Sequence, residues 1–249
     1  MFTMQVHVLP FGVLKEALGS DPFALDLPGG ATVADLLARI GVQAPAVEKL
    51  GIAVSVNAEY AARSQVLREN DEVGLLPPVS GGPATSADRP DERIGLASTI
   101  RLTREVIDAH ALVAAAKHGE DGAVVVFDGI VRNHSRGRKT LYLDYEAYEE
   151  MALKQMNELA GEAISRFTVR HVAIVHRLGR LQIGETSVLI VVASAHRAQA
   201  YEASRWLIDT LKKTVPIWKK ETFADGAVWA DGEPFPAGYA VEDLNGSTS

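Results

Sequence analysis

The apolar residues in the first part of the chain follow a repeat that predicts short, half-buried strands. Every second residue is apolar in the segment 23–27, and such alternation is typical of a strand with one face in a core. The predicted strands cover residues 5–9, 23–27, 52–56 and 71–76. Between the second and third strands, Thr32 and Asp35 form a capping-box pattern that opens a helix ending at Ile40. The pattern therefore predicts a small α+β domain.

Two glycines, Gly81 and Gly82, follow the last of these strands about a third of the way along the chain. The order strand, strand, helix, strand, strand within residues 1–82 is that of a β-grasp, or ubiquitin-like, unit, which here ends on an extended Gly-Gly tail. Glycine has no Cβ and tolerates unusual backbone angles, so such a tail can enter a narrow slot. A Gly-Gly pair also opens many linkers, and the dipeptide alone favours that simpler interpretation.

Residues 83–98 contain little that could be buried, because Pro, Ala, Ser, Asp and Arg dominate this segment. We interpret it as a flexible linker with an r.m.s. span of roughly 22 Å. The chain therefore divides into a first domain at 1–82, the linker at 83–98 and a second domain at 99–249.

The second domain is also predicted to be α+β. Its predicted strands cover residues 100–102, 123–131, 141–148, 169–178, 186–195 and 217–223, and its predicted helices cover 106–117, 149–167 and 197–215. The predicted buried stripe of the last helix consists of Tyr201, Ser204, Ile208, Leu211 and Val215. Pro216 ends this helix, because proline lacks the N–H that a helix interior needs. Helices that alternate with β-hairpins favour an α/β sandwich with a mostly antiparallel sheet.

Composition and charge exclude several classes of function. Of the 249 residues, 47% are hydrophobic and 23% are charged, which is ordinary for a globular protein. A formal net charge of −7 argues against general nucleic-acid binding, which needs a basic domain. The N-terminus has no signal-peptide pattern and no apolar run reaches the roughly 18 residues of a membrane helix. We therefore expect a cytoplasmic protein that binds neither nucleic acid nor membrane.

The chain contains no cysteine, which excludes disulfides, cysteine-ligated metals and a cysteine nucleophile. The histidines do not have the spacing of metal ligands, so we expect neither a metal site nor a bound cofactor. If the protein handles sulfur, a group other than a thiol side chain must carry it.

Basic residues gather at the ends of successive elements of the second domain. The five that share this placement are Arg132, His196, Arg197, Lys212 and Lys219. Arginine and lysine bind phosphate through charge-assisted hydrogen bonds. The placement of this group therefore favours a pocket that binds an anionic ligand over a basic face that is merely solvated. Lys219 and Lys220 should point to opposite faces of their strand, because successive side chains alternate.

Three segments of the second domain together resemble the signature segments of the molybdopterin synthase large subunit, in that family's order and approximate spacing. They are Phe127-Asp128-Gly129-Ile130-Val131-Arg132-Asn133-His134, Ser194-Ala195-His196-Arg197, and Leu211-Lys212 followed by Pro216-Ile217-Trp218-Lys219-Lys220-Glu221. Residues 1–82 resemble the small subunit of the same enzyme, a ubiquitin-like sulfur carrier that ends in Gly-Gly. The resemblance covers nearly the whole chain and implies a fusion with the small subunit first.

The resemblance implies a role in molybdenum cofactor biosynthesis. The family inserts two sulfurs into cyclic pyranopterin monophosphate and thereby makes the dithiolene of molybdopterin. Each sulfur arrives as a thiocarboxylate on the carrier's terminal glycine, which Gly82 matches and which a separate adenylating enzyme loads. Lys212 and Lys219 match the catalytic lysines. The positions that match substrate contacts are Ile130, Val131, Arg132, His196, Arg197, Lys212, Lys219, Lys220 and Glu221.

The resemblance also implies a homodimer through the second domain, in which each pocket can borrow residues across the interface. The alternative function is a non-catalytic ubiquitin-like sulfur carrier or modifier, with the second domain as a docking scaffold. The joint presence of the five basic residues disfavours this alternative, because a scaffold would not need all of them.

The junction departs from the family's pattern, since Gly82 is joined to Pro83 whereas the family's small subunit ends at its second glycine. A thiocarboxylate needs a free carboxyl group, which a peptide bond does not provide. We therefore expect cleavage after Gly82 to precede sulfur loading, because exposed linkers are where proteases cut. A fused carrier that stays idle while separate small subunits supply sulfur is the alternative.

Mass spectrometry of the active protein distinguishes these two possibilities. We expect a fragment that ends at Gly82, together with a heavier form in which sulfur replaces one oxygen of the new carboxyl group. Full activity from a chain shown to be uncut, with no separate carrier present, would contradict the cleavage hypothesis.

Overall fold

The ranges that the computed structural model describes are 3–44, 50–79, 98–135 and 137–230. They belong to two compact units, one ending at residue 79 and one starting at residue 98. The Gly81-Gly82 tail and the predicted domain end at residue 82 lie outside the described residues. None of the helices in the described ranges combines the length and apolar character that crossing a bilayer requires.

The first unit is a single five-stranded sheet with two helices in its described residues. Its elements are β1 (Thr3–Pro10), α1 (Leu14–Leu18), β2 (Phe23–Pro28), α2 (Val33–Gln43), β3 (Ala53–Val56), β4 (Glu59–Tyr60) and β5 (Glu72–Leu76). The strand order is β2-β1-β5-β3-β4, with β1 and β5 parallel and every other neighbouring pair antiparallel. This is the predicted β-grasp fold.

Local sequence determines the elements of the first unit. On β1, Met4, Val6 and Val8 are buried while the residues between them are exposed, as the alternation predicts. The capping box is also present, because the Thr32 N–H donates to the Asp35 carboxylate at 2.8 Å and the Asp35 N–H donates to the Thr32 hydroxyl at 3.3 Å. Helix α2 continues three residues past its predicted end at Ile40, to Gln43.

The second unit contains two sheets and three helices in its described residues. Its elements are β6 (Ser98–Thr103), α3 (Ala109–Ala116), β7 (Ala123–Ile130), β8 (His134–Ser135), β9 (Arg138–Ala147), α4 (Glu149–Phe167), β10 (His171–Arg177), β11 (Gly179–Gln182), β12 (Thr186–Ser194), α5 (Arg197–Thr214), β13 (Ile217–Phe223) and β14 (Gly226–Trp229).

The first sheet of this unit has the order β6-β10-β12-β7, in which β6 and β10 are parallel and the other pairs antiparallel. The second sheet has the order β11-β9-β13-β14, with β8 attached to β9, and all its pairs are antiparallel. Helices α4 and α5 pack on each other and against the first sheet. The predicted α/β sandwich with mostly antiparallel strands is therefore confirmed.

The buried face of α5 differs from the predicted one. Tyr201 is 64% exposed, whereas Ala200, Ala203 and Leu207 are fully buried. Ser204, Ile208 and Leu211 are buried as predicted. The prediction gave weight to large side chains, but alanines allow the helix to approach its neighbours closely, so the buried face extends to Ala200 and Ala203 and leaves Tyr201 outside.

Helix α3 begins later than predicted, at Ala109. The Asp108 carboxylate accepts the N–H of Ala111 at 2.9 Å and so caps the helix at this point. The short strands β8, β11 and β14 were not predicted, since two to four residues carry too little alternation to distinguish a strand from a loop.

His176 is a buried polar residue in β10, with only 5% of its surface exposed. Its Nδ1 lies 3.0 Å from the carbonyl oxygen of Arg177, and its ring meets the ring of Tyr145 edge-on with centres 5.1 Å apart. Burial lowers the pKa of His176 to about 4, although the hydrogen bond to Arg177 acts in the opposite direction. The imidazole is therefore neutral in the folded protein near pH 7.

Acidification should destabilise the second unit through His176. Between pH 6.5 and about 4, His176 is protonated in the unfolded chain but stays neutral in the folded chain. The contribution of His176 to the free energy of unfolding therefore falls as pH falls, by about 3 kcal/mol in total. The free energy of unfolding can be followed by tryptophan fluorescence, because all 3 tryptophans lie in this unit. His176→Asn, which can still donate to the carbonyl of Arg177, should flatten the pH dependence. His110→Asn, at an exposed position on α3, is the control and should leave it unchanged; equal slopes for wild type and His176→Asn would contradict the expectation.

Candidate functional site

Strand β13 carries an ion pair formed by Lys219 and Glu221, which share one face of the strand. The Nζ of Lys219 lies 3.1 Å from Oε1 of Glu221. The Glu221 side chain is 7% exposed and that of Lys219 is 25% exposed, so a buried carboxylate fixes a cation at the surface. A buried charge requires such a partner, because burial without one is costly. The ammonium of Lys219 is therefore held in one place.

Lys220 lies on the opposite face of β13, as its adjacent position in the strand requires. Its Nζ is 5.4 Å from the centre of the Trp229 ring, a distance typical of a cation–π contact. The structure therefore separates Lys220 from the ion pair of Lys219, although the sequence resemblance grouped the two with the same substrate.

The end of β7 is fixed in place through Val131. The side chain of Val131 is 2% exposed and packs with Leu143 and Leu181. Its N–H donates to the carbonyl of Glu185 at 3.0 Å, and its carbonyl accepts the N–H of Gly184 at 2.9 Å. Val131 therefore anchors the strand end through its side chain and through both of its backbone polar groups.

The two neighbours of Val131 face outward. Ile130 is 55% exposed, and Arg132 is exposed immediately after the strand. Anchoring by Val131 therefore presents an apolar and a cationic side chain side by side at this end of β7.

A series of contacts connects this strand end to the strand that carries Lys219. The Ser187 hydroxyl donates to the carbonyl of Gly129 at 2.8 Å, and Ser187 is also hydrogen-bonded to the side chain of Tyr145. Tyr145 on β9 lies directly opposite Lys219 on β13 in the antiparallel register. Arg132 and Lys219 are therefore at the same end of the second unit. Burial raises the pKa of the Tyr145 phenol, and the Glu221 carboxylate adds to this effect, so the phenol keeps its proton at neutral pH.

Lys212 reaches this same end through α5. The helix starts shortly after β12 and packs against it, so it must run back along that strand. Its last turn, which contains Lys212, therefore returns toward the start of β12 at Thr186, the residue that pairs with Ile130. Lys212 is exposed, and within the part of the chain that the structure describes it forms no ion pair.

His196 and Arg197 lie at the other end of α5. His196 is the N-cap residue, and its N–H donates to the Ser194 hydroxyl at 3.4 Å. His196 and Arg197 are both exposed. Arg197 and Lys212 lie ~22 Å apart along the helix axis, given the α-helical rise per residue. A single chain therefore brings together Arg132, Lys212 and Lys219 but not His196 and Arg197.

Sequence reasoning did not identify Tyr145 and Ser187 as residues of this site. Both lie within predicted strands, and neither belongs to the three quoted signature segments. The available signal was Ser187, a polar residue directly before the apolar run 188–193, where a buried hydroxyl requires a hydrogen-bond partner. Gly82 lies outside the described residues. Those ranges contain no group of three or more His, Asp or Glu side chains placed to hold a metal ion.

Comparisons with known proteins assign a family to each part of the chain. Residues 102–214 match the family described as MoaE protein, and residues 8–82 match the ThiS family. The molybdopterin synthase catalytic subunit of Pyrococcus abyssi is 42% identical over 121 residues, which are 49% of this chain and 82% of that protein. The molybdopterin synthase catalytic subunit of Halalkalibacterium halodurans is 47% identical over 112 residues, or 45% of this chain and 72% of that protein.

A solved structure agrees with these matches. The X-ray crystal structure of molybdopterin synthase from Staphylococcus aureus is 42% identical in sequence, with a TM-score of 0.50. The similarity covers 52% of this chain and 94% of that one.

Proposed function

Because the chain belongs to the molybdopterin synthase catalytic subunit family and joins to it a ThiS-family domain, we propose that it carries out the sulfur-transfer step of molybdenum cofactor biosynthesis. In this step two glycine thiocarboxylates each give up one sulfur to the same cyclic pyranopterin monophosphate, water supplies the oxygen that leaves each glycine as a carboxylate, and the product is the dithiolene of molybdopterin. Gly82 is the carrier glycine in this proposal, and a separate adenylating enzyme loads it.

The observation that carries the proposal is the Lys219–Glu221 pair at the end of the unit where Arg132 and Lys212 also lie. A cation that is already oriented by a buried carboxylate can stabilise negative charge without first rearranging. Such charge is present on the thiocarboxylate and develops further as the acyl–sulfur bond breaks. We therefore assign charge stabilisation to Lys219.

Lys212 is assigned to proton transfer at the reacting pterin. It approaches the same end of the unit from the last turn of α5, and no carboxylate of the described residues engages it. A lysine without a fixed ionic partner can exchange its proton with a substrate more readily than one held in an ion pair.

The phosphate of the substrate is assigned to Arg132, with His196 and Arg197 supplied by a second copy of the chain. The ~22 Å between the ends of α5 prevents one copy from presenting Arg197 beside its own Lys212. A homodimer that places the start of one helix near the end of the other would complete each pocket with residues from both chains.

Lysine substitutions test these assignments. With separately prepared, thiocarboxylated residues 1–82 as sulfur donor, Lys219→Ala should reduce molybdopterin formation by a factor on the order of 10²–10³, because a preorganised cation is lost. Lys212→Ala should reduce it on the order of 10²-fold. Lys213→Ala, next in the same helix turn, is the matched control and should stay near wild type. Near-normal turnover by both Lys212→Ala and Lys219→Ala would favour the scaffold alternative instead.

Arginine substitutions test phosphate binding. Arg132→Ala and Arg197→Ala should each raise the KM for the pterin roughly tenfold with little change in kcat, because a phosphate contact stabilises substrate and transition state alike. The affinity should also fall as salt rises, since exposed charges are screened. Arg205→Ala is the control, because this exposed arginine pairs with Asp209 on the same helix.

Mixed dimers test whether the pocket is shared. Lys219→Ala and Arg197→Ala chains should be assayed together after co-expression, at a pterin concentration below the KM of Arg197→Ala. If the copies share pockets, each mixed dimer regains one intact pocket and the mixture exceeds the sum of its components. Activity equal to that sum would contradict sharing.

A further inference from the structure

Ser187, the partly buried Tyr145 and His176 connect the two sheets of the second unit, and no step of the proposed function uses this connection. Ser187 belongs to β12 in the first sheet, and Tyr145 belongs to β9 in the second. Their hydrogen bond therefore joins the sheet that carries Arg132 to the sheet that carries Lys219.

Ser187 occupies an irregularity in β12 that directs its hydroxyl inward. Thr186 pairs with Ile130 and Val188 pairs with Gly129, so Ser187 is an extra residue with no partner on β7. Such a β-bulge redirects a side chain and is frequent next to active sites. The hydroxyl of Ser187 is buried and donates to the carbonyl of Gly129 at 2.8 Å, three residues before Arg132.

Gly129 allows β7 and β12 to approach each other closely at this point. A Cβ at this position would lie 2.7 Å from Cγ1 of Val188 and 3.2 Å from Cε1 of Phe127. Both distances are shorter than normal carbon contacts, so a side chain here would force the side chains of Val188 and Phe127 to shift. The bulge and the glycine together fix where the end of β7 lies relative to Ser187.

Tyr145 is held at two points on the other side of this connection. Its ring meets the edge of the neutral His176 ring, and its hydroxyl is hydrogen-bonded to Ser187. Residues directly opposite each other in an antiparallel pair have Cβ atoms about 5 Å apart, so the Lys219 side chain emerges beside the Tyr145 ring.

We propose that Tyr145 and Ser187 are positioning residues that set the separation between the Lys219–Glu221 pair and the strand end carrying Arg132. Neither residue touches the reacting atoms. They act by keeping the ammonium of Lys219 at the distance from Arg132 that a bound phosphorylated substrate requires. The kinetic consequence rests on the proposed function, whereas the structural consequence for Lys219 does not.

The kinetic test compares four variants that keep the fold. Tyr145→Phe and Ser187→Ala should each lower kcat roughly tenfold with the KM for the pterin nearly unchanged, because a misplaced cation weakens the transition state more than substrate binding. Ser187→Thr keeps a hydroxyl and should restore most of kcat. Tyr142→Phe, on the opposite face of β9, is the matched control and should behave as wild type. Wild-type kcat in Tyr145→Phe, or an equal loss in Ser187→Thr and Ser187→Ala, overturns the proposal.

A second measurement does not depend on the activity. The rate at which acetic anhydride acylates each lysine can be followed by mass spectrometry of the intact chain and its peptides. In wild type Lys219, ion-paired and 25% exposed, should react more slowly than the exposed Lys212. In Tyr145→Phe the rate at Lys219 should rise several-fold while that at Lys154 on α4 stays constant.

Each outcome of the acylation experiment decides the proposal. An unchanged rate at Lys219 overturns it, and so does an equal rise at Lys154, which would indicate general loosening of the unit. A selective rise at Lys219 supports positioning even if wild type makes no molybdopterin, in which case the proposed function alone would fail.

Discussion

The register between β9 and β13 is the constraint on which the site of the second unit depends. Side chains alternate along a strand, so a slip of one residue would exchange the two faces of β13. Lys220 would then lie opposite Tyr145, and Lys219 would move to the face of Trp229. Two features oppose this slip: Glu221 is buried opposite Leu143, and the N–H of Tyr148 donates to the carbonyl of Pro216 just before β13 begins.

The length of α5 is a second constraint, because it determines how far apart the cationic side chains at the two ends of the helix lie. A helix that starts at one end of the first sheet and returns to the other separates its terminal cations by most of the unit's length. The basic groups of one chain thus lie in two places, one with Arg132, Lys212 and Lys219 and one with His196 and Arg197. In the proposed function, association of two copies would unite these groups on one small substrate.

Local signals explain which features could be predicted from the sequence. The capping box at Thr32, the end of α5 at Pro216 and the opposite orientation of Lys219 and Lys220 depend only on neighbouring residues, and they agree with the structure. The predicted buried face of α5 wrongly included Tyr201 and missed Ala200, because alanine gives a weak signal of burial.

The unpredicted part of the site depends on contacts between distant segments. Nothing near Ser187 in sequence indicates that β12 gains an extra residue against β7, since a bulge is defined by its partner strand. The burial of Val131 likewise follows from packing against Leu143 and Leu181, which a strand pattern does not reveal. Motif resemblance identified the position of Val131 without its role in anchoring the strand.

Gly129 has a consequence for how this sequence can vary over evolutionary time. Every other amino acid carries a Cβ, and a Cβ here would meet Val188 at 2.7 Å. A side chain at position 129 therefore requires Val188 to turn to another rotamer or to be replaced by a smaller residue. A change at position 129 should therefore be accompanied by an adjustment or a substitution at position 188 in the same lineage.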